Sequence, residues 1–302
     1  MLSTALHGWG VELLTGVASG WQQIWQHNLT SLNFTGFLAP LYANSTRDPT
    51  YSPLYCGEWC SWSDITYEGL PWEYSWTIPY DMKTLISYMG GVNTTESRLD
   101  AMFIPGLQDG TVGQGNGAGT AIFNPGNEPS FGTPFLYNYL GGRQWKSVLR
   151  SRGIINEYYS NERDGVPGNS DAGALESWMV WNLLGKCCPK DHGNVMLTSD
   201  GGLYPIVTQP IYLLLSPWFS DVSISVAGNK TLKITAAGLE DGPFVQSVKV
   251  NGIQWDKSWV THDDLAGGEG GQIDFILGSE QTEWDSGDLP PSPGHVDLGV
   301  RN

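Results

Sequence analysis

Basic residues are scarce in this chain. Lys and Arg number 15 against 31 Asp and Glu in 302 residues, a formal net charge of −16. Nucleic acids are bound by releasing counterions to Lys and Arg, so this balance argues against a polynucleotide partner. An anionic membrane surface is disfavoured for the same reason. Charged residues make up only 15% of the chain, against 40% apolar and 12% aromatic. That is too apolar for a disordered protein. No run of about 18 apolar residues occurs, so a transmembrane helix is not expected. The N-terminus, MLSTALHGWGVELLTGVASGW, lacks a basic n-region and a long apolar h-region and does not read as a signal peptide. It reads as part of a helical domain, with Trp9, Leu13, Leu14 and Val17 at helical spacing.

Cysteine and histidine are also sparse. The cysteines are Cys56, Cys60, Cys187 and Cys188. CxxxC lacks a matching second half and no His pair has ligand spacing, which argues against a zinc site. The CGEWC pair is compatible with a small loop disulfide in an oxidising compartment, or with reduced thiols. There is no HExxH, no GxSxG elbow and no EF-hand spacing. The stretch GTVGQGNGAGT at 110–120 lacks the Gly-Lys-Ser/Thr of a phosphate loop and reads as a surface insertion.

What is abundant points elsewhere. Fourteen Trp and 13 Tyr accompany 39 Gly and 18 Pro. This describes a loop-rich globule whose aromatic rings serve as sugar platforms or as core packing. Asn-x-Ser/Thr acceptors at Asn28, Asn33, Asn44, Asn93 and Asn229 suit an exported protein.

The chain changes character near residue 205, dividing it into 1–204 and 205–302. Before that point, helical patterns alternate with Gly/Pro-rich loops. PYDMKTLISYMGG predicts a helix started near Pro79 and stopped at Gly90-Gly91. Thr94 to Phe103 predicts a second, ended by Pro105. NEPSFGTPFLYNYLGG and RQWKSVLRSRGIINEYY predict a helical hairpin joined at Gly141-Gly142. AGALESWMVWNLLG places Leu175, Trp178, Met179 and Leu183 on one face. Beyond 205 the period becomes two, in VSISV, TLKITA, FVQSVKV and QIDFIL. AGNK and VNGI are the expected hairpin turns, Asn251-Gly252 the stronger of them. An antiparallel β unit is expected there.

Three segments place acids among Gly, Trp and amide residues at apparent helix entries: 61–76, 123–131 and 164–174. Glycosidic cleavage needs a protonated acid for the leaving oxygen and a carboxylate for water or direct attack. Capping a helix or complementing its dipole is the ordinary use of such acids.

These segments resemble a known family. TYEGLPWEYSWTIPYDMKTLISYMGG followed by RLDAMF, then FNPGNEPSFGTPFLYNYLG, then DGVPGNSDAGALESWMVWNLLG are similar to successive signatures of glycoside hydrolase family 92. Its members are calcium-dependent, inverting exo-α-mannosidases. LLLSPWF, FVQSVKVNGIQWDKSWVTHDDL and GGQIDFILGSEQTEW extend the resemblance from about residue 50 to 285 in the same order. The resemblance implies that Glu68 is the general acid and Asp171 the general base. It implies calcium at Asn127 and Glu128, hard oxygen donors beside the sugar. Trp72 is a candidate sugar contact, with core packing the equal alternative, and Asn169 is a second candidate contact. Asn169 and Ser170 depart from the acids many members carry beside the base. Glu73 stands where Gln is common, and Gly132 where His often follows.

Family members are typically more than twice as long, with an N-terminal β-sandwich before an (α/α)6 barrel. The resemblance therefore implies an α+β chain holding part of the (α/α)6 toroid and a C-terminal antiparallel β unit, without the sandwich. The expected function is α-mannosidase action, on α-1,2-linked mannose of N-glycans or mannan, by a protein of the secretory pathway or extracellular space. The alternative is a truncated, non-catalytic member that at most binds mannose-containing glycans.

Overall fold

The computed structural model describes residues 19–57, 60–61, 63–108, 116–187, 211–226, 230–268 and 270–292. The expected N-terminal helix, the boundary near 205, residues 110–115 of the glycine-rich stretch, Cys188 and most of the AGNK turn lie outside them. Helices and sheets both occur, an α+β architecture. The chain forms two compact units. The first is Met1–Thr133, Pro167–Asn169 and Ser292–Asn302, and the second is Pro134–Val166 and Ser170–Pro291. No helix among the described residues is long and apolar enough to cross a membrane.

In the first unit, strands β1 (Trp25–Ser31) and β2 (Phe34–Leu38) form an antiparallel hairpin. Its two turn residues, Leu32 and Asn33, have φ of 50° and 65°, the left-handed pair a tight hairpin requires. Helices α1 (Pro71–Tyr74), α2 (Met82–Tyr88), α3 (Val92–Met102) and α4 (Glu128–Phe131) follow. As expected, a 3₁₀ turn at Pro79–Asp81 opens α2, and Gly90, at φ 94°, lies beyond its end.

The core of this unit is built around a buried cation. The Arg98 guanidinium lies 3.8 Å from the Phe37 ring centroid and 4.9 Å from that of Trp72. Trp25 and Trp76 complete the cage at 5.8 and 5.5 Å. Arg98 Nη1 donates to the Gly36 carbonyl at 2.6 Å. Gly36 has φ of 90°, and a Cβ there would come within 2.9 Å of the Trp25 ring. Burial pulls the Arg98 guanidinium well below its usual range. Arg98→Ala is expected to lose about 3–5 kcal/mol of stability in urea denaturation, and Arg98→Met, which fills the space, less.

In the second unit, a 3₁₀ run (Thr133–Tyr139) precedes α5 (Gln144–Tyr158). The expected helical hairpin thus has one long α-helical arm, α5, while the other is the single α turn α4 followed by the 3₁₀ run. Pro134 has no N–H to donate, and the tight aromatic run FLYNY continues as 3₁₀. Helix α6 (Ala174–Leu183) buries Leu175, Trp178 and Asn182, while Met179 and Leu183 are only partly covered.

Strands β3 (Lys186–Cys187), β4 (Ile211–Leu214), β5 (Asp221–Val226), β6 (Lys230–Ala237), β7 (Phe244–Val250), β8 (Ile253–Trp255), β9 (Trp259–Thr261) and β10 (Gly270–Gly278) complete the unit, with α7 (His262–Ala266) before β10. One sheet has the order β3-β4-β9 and the other β5-β6-β10-β7-β8. Asn251 and Gly252, both at positive φ, turn β7 into β8. The β unit is mixed rather than purely antiparallel: β10 runs parallel to β6 and antiparallel to β7. Alternation marks which face of a strand is buried, not which strand it joins. Leu232, Ile234, Val245, Val248, Ile273 and Phe275 form the dry face of the larger sheet.

Candidate functional site

The segment carrying Glu68 is fixed by local bonds. Cys56 and Cys60 form a disulfide, so the loop reading of CGEWC holds. The Ile65 N–H donates to the Cys56 carbonyl at 2.6 Å, and the Glu68 N–H to the Cys60 carbonyl at 2.7 Å. Glu68 has φ of 60°, a region few non-glycine residues occupy. Such a backbone costs about 1–3 kcal/mol and persists where its surroundings over-determine it. Here they do. The Asn127 side-chain amide donates to the Glu68 carbonyl at 2.7 Å, so both backbone polar groups of Glu68 are held. Its side chain is half-buried.

This bond joins the first acid-bearing segment to the second. A further pair of bonds does the same. Glu73, in α1, accepts from the Leu70 N–H at 2.7 Å and from the Ser130 hydroxyl at 2.7 Å. Ser130 in turn accepts from the Asn124 N–H at 3.1 Å. The Tyr74 hydroxyl donates to the Tyr67 carbonyl at 2.6 Å. Burial, then the charges of Glu73, Glu68 and Glu128, push that phenol up to about 12. The three carboxylates therefore act on one phenol.

The third segment meets the second through glycines. Gly126 and Gly168 approach so closely that a Cβ on Gly126 would lie 2.5 Å from the Pro167 carbonyl oxygen. A Cβ on Gly168 would lie 2.7 Å from the Gly126 oxygen. Asn169 follows, exposed. Within the first unit, then, Glu68, Asn127, Glu128 and Asn169 lie on segments linked by direct contacts.

Asp171 belongs to the second unit and is exposed. Asp171, Ala172 and Gly173 have φ of 42°, 61° and 88°, three left-handed residues in succession. The Ala174 N–H closes this turn on the Ser170 carbonyl at 2.7 Å. The Ser170 hydroxyl donates to Glu176, which holds that carboxyl below its usual range. Tyr159 stacks on Trp178, in α6, at 5.8 Å.

Trp72 had two equal readings, a sugar contact or core packing. Its side chain is fully buried, its indole N–H donates to the Ser31 hydroxyl at 2.9 Å, and its ring packs on Phe37 at 5.1 Å. Of its two readings, core packing is the one its surroundings support. Glu73 stood out in the sequence only as a departure from Gln; its bonds to Leu70 and Ser130 did not, and Leu70 has no side-chain acceptor to make the cap reciprocal.

Burial raises the Glu73 carboxyl to about 7, with the Leu70 N–H and the Ser130 hydroxyl acting the other way. The folded chain thus holds this proton more tightly than the unfolded chain does. The stability it contributes is full below about pH 4.5 and is lost as pH rises through about 7. Glu73→Gln does not ionise. In urea denaturation the stability of Glu73→Gln relative to the parent is expected to rise by about 3 kcal/mol between pH 4 and pH 8. A constant difference from pH 4 to 8 would contradict this.

A model of the glycosyl hydrolase family 92 catalytic domain matches residues 10–187 and 191–279. An uncharacterized secreted glycosidase of Arthroderma benhamiae is 31% identical over 296 residues, covering 92% of this chain and 34% of that protein. A family GH92 α-mannosidase of Bacteroides thetaiotaomicron, solved with mannoimidazole, superposes with a TM-score of 0.72 at 24% identity. The match covers 90% of this chain and 33% of that one. An inverting GH92 mannosidase of the same organism gives a TM-score of 0.65 at 22% identity, over 85% of this chain and 33% of its own. This chain spans about a third of the length of these relatives. At such identities the structural likeness shows a shared fold.

Proposed function

Because the chain belongs to glycosyl hydrolase family 92, we propose that it carries the catalytic acid, the base and the calcium-holding segment of an inverting exo-α-mannosidase. In this reading its helices are part of an (α/α)6 barrel, and its substrate is α-1,2-linked mannose of an N-glycan or mannan. The observation that carries the proposal is the bond from Asn127 to the Glu68 carbonyl. It sets the acid segment directly against the segment that would hold calcium.

Glu68 would protonate the departing glycosidic oxygen. Asp171 would take a proton from water as it attacks the anomeric carbon from the opposite face. The left-handed turns at both positions are the kind of backbone strain that clusters where side-chain placement matters.

The residues present fit calcium as part of its shell. The Asn127 amide nitrogen is committed to Glu68, which leaves the amide oxygen, a hard donor, for an ion. Glu128 supplies carboxylate oxygen. Among the described residues no group of three or more His, Cys, Asp or Glu gathers as a metal site. Backbone carbonyls, water and sugar hydroxyls would complete the six to eight oxygens calcium takes. When bound, calcium would polarise sugar oxygens and help position the ring.

The test is mannose release from α-1,2-mannobiose with calcium and with a chelator. Chelation is expected to lower release and added calcium to restore it. Calcium-independent release would remove the metal from the proposal. The alternative reading is a chain that binds mannose-containing glycans without turnover. Binding of the disaccharide without release would favour that reading.

The protein is proposed to mature in the secretory pathway. A disulfide at Cys56–Cys60 suits an oxidising compartment. Asn28, Asn33, Asn44 and Asn93 are all exposed, as glycan acceptors must be.

A further inference from the structure

Two segments of the first unit, 66–74 and 124–131, carry Glu68 on one side and Asn127 and Glu128 on the other. Their contact has two strands. One is the Asn127 amide on the Glu68 carbonyl. The other runs through a side chain that the proposed chemistry does not use. Glu73 is 3% exposed, and each of its carboxylate oxygens accepts one bond from a different segment. Oε2 takes the Leu70 N–H, two residues after Glu68, and Oε1 takes the Ser130 hydroxyl, two residues after Glu128. Ser130 is itself fully buried and anchored by the Asn124 N–H. The approach is close enough that a Cβ on Gly69 would sit 3.1 Å from Glu73 Oε2 and 3.4 Å from the Pro129 ring. Surface ion pairs between flexible chains hold little; a buried two-point acceptor between backbone-anchored donors leaves both partners one arrangement.

We propose that Glu73 is a positioning residue whose buried carboxylate clamps the segment of the acid Glu68 to the segment of Asn127 and Glu128. This rests on the mannosidase reading only for what the clamp aligns. The clamp itself is a statement about two segments.

Hydrogen exchange by mass spectrometry on the full chain tests it. Removing the clamp with Glu73→Ala should speed exchange about tenfold or more in both 66–74 and 124–131, with the 230–278 sheet unchanged. Ser130→Ala should speed exchange in 66–74, although the substitution lies in the other segment. Glu73→Gln accepts from Leu70 through its oxygen and meets Ser130 with its amide, so it should recover most of the protection lost in Glu73→Ala. If Glu73→Ala does not fold, Ser130→Ala and Glu73→Gln decide. Unchanged 66–74 exchange in Ser130→Ala, or a Glu73→Gln protein as unprotected as Glu73→Ala, overturns the clamp. On α-1,2-mannobiose, loss of the clamp should lower kcat more than it changes KM. Absence of turnover in the unsubstituted chain would count against the mannosidase reading, while the exchange data still decide the clamp.

Discussion

Glu68→Gln should lower kcat on α-1,2-mannobiose by about 10²- to 10⁴-fold, the contribution typical of a positioned general acid. The amide keeps the shape of the side chain and does not disturb the backbone bonds to Cys60 and Asn127, which involve main-chain atoms of Glu68. What it removes is the proton given to the leaving oxygen. The loss should therefore depend on the leaving group. A dinitrophenyl α-mannoside departs without protonation, and on that substrate the variant should keep most of the parental rate. Equal losses on both substrates would mean that Glu68 does something other than protonate. Unchanged turnover of the disaccharide would remove it from the mechanism.

Asp171→Asn should show the complementary pattern. The base activates water in the same step that breaks the bond, so a better leaving group does not replace it. A loss of about 10²- to 10⁴-fold is expected on the disaccharide and the aryl mannoside alike. The substitution is a fair test because Asn also tolerates left-handed backbone, which Asp171 adopts at φ 42°. The Ser170–Glu176 bond behind it is left in place. Circular dichroism and the urea midpoint should match the parent. An Asp171→Asn protein that retains turnover on either substrate would assign the base elsewhere.

Different parts of the molecule were legible to different depths. The strand at 270–278 and those beside it show in the alternation of QIDFIL, TLKITA and FVQSVKV, since each buries one face. Their neighbours do not show. β10 lies between β6 and β7, and its parallel pairing with β6 depends on a return path through α7 that no local pattern encodes. The helix stop at Gly90 was readable because glycine ends helices at such φ without a Cβ penalty. The 3₁₀ run at Thr133–Tyr139 was not, because its apolar spacing also suits an α-helix.

At the site, residue types and their order were readable, and the bonds between them were not. Asn127 and Glu68 are 59 residues apart, and Ser130 and Glu73 are 57 apart. Contacts over such separations are products of the whole unit. Trp72 shows the limit on the other side. A tryptophan beside an acid suits a sugar platform and a core equally, and only the Arg98 cage decides for the core. Left-handed backbone at Glu68 and Asp171 was also hidden, since neither residue type announces it as glycine would.

The stereochemistry of the first product tests the central claim most directly. The protein, α-1,2-mannobiose and calcium are followed by proton NMR before the released sugar mutarotates. A single displacement by water activated at Asp171 predicts β-mannose first, with the α-anomer growing in afterwards. Release of α-mannose first would mean two displacements through a covalent intermediate, and would contradict the account.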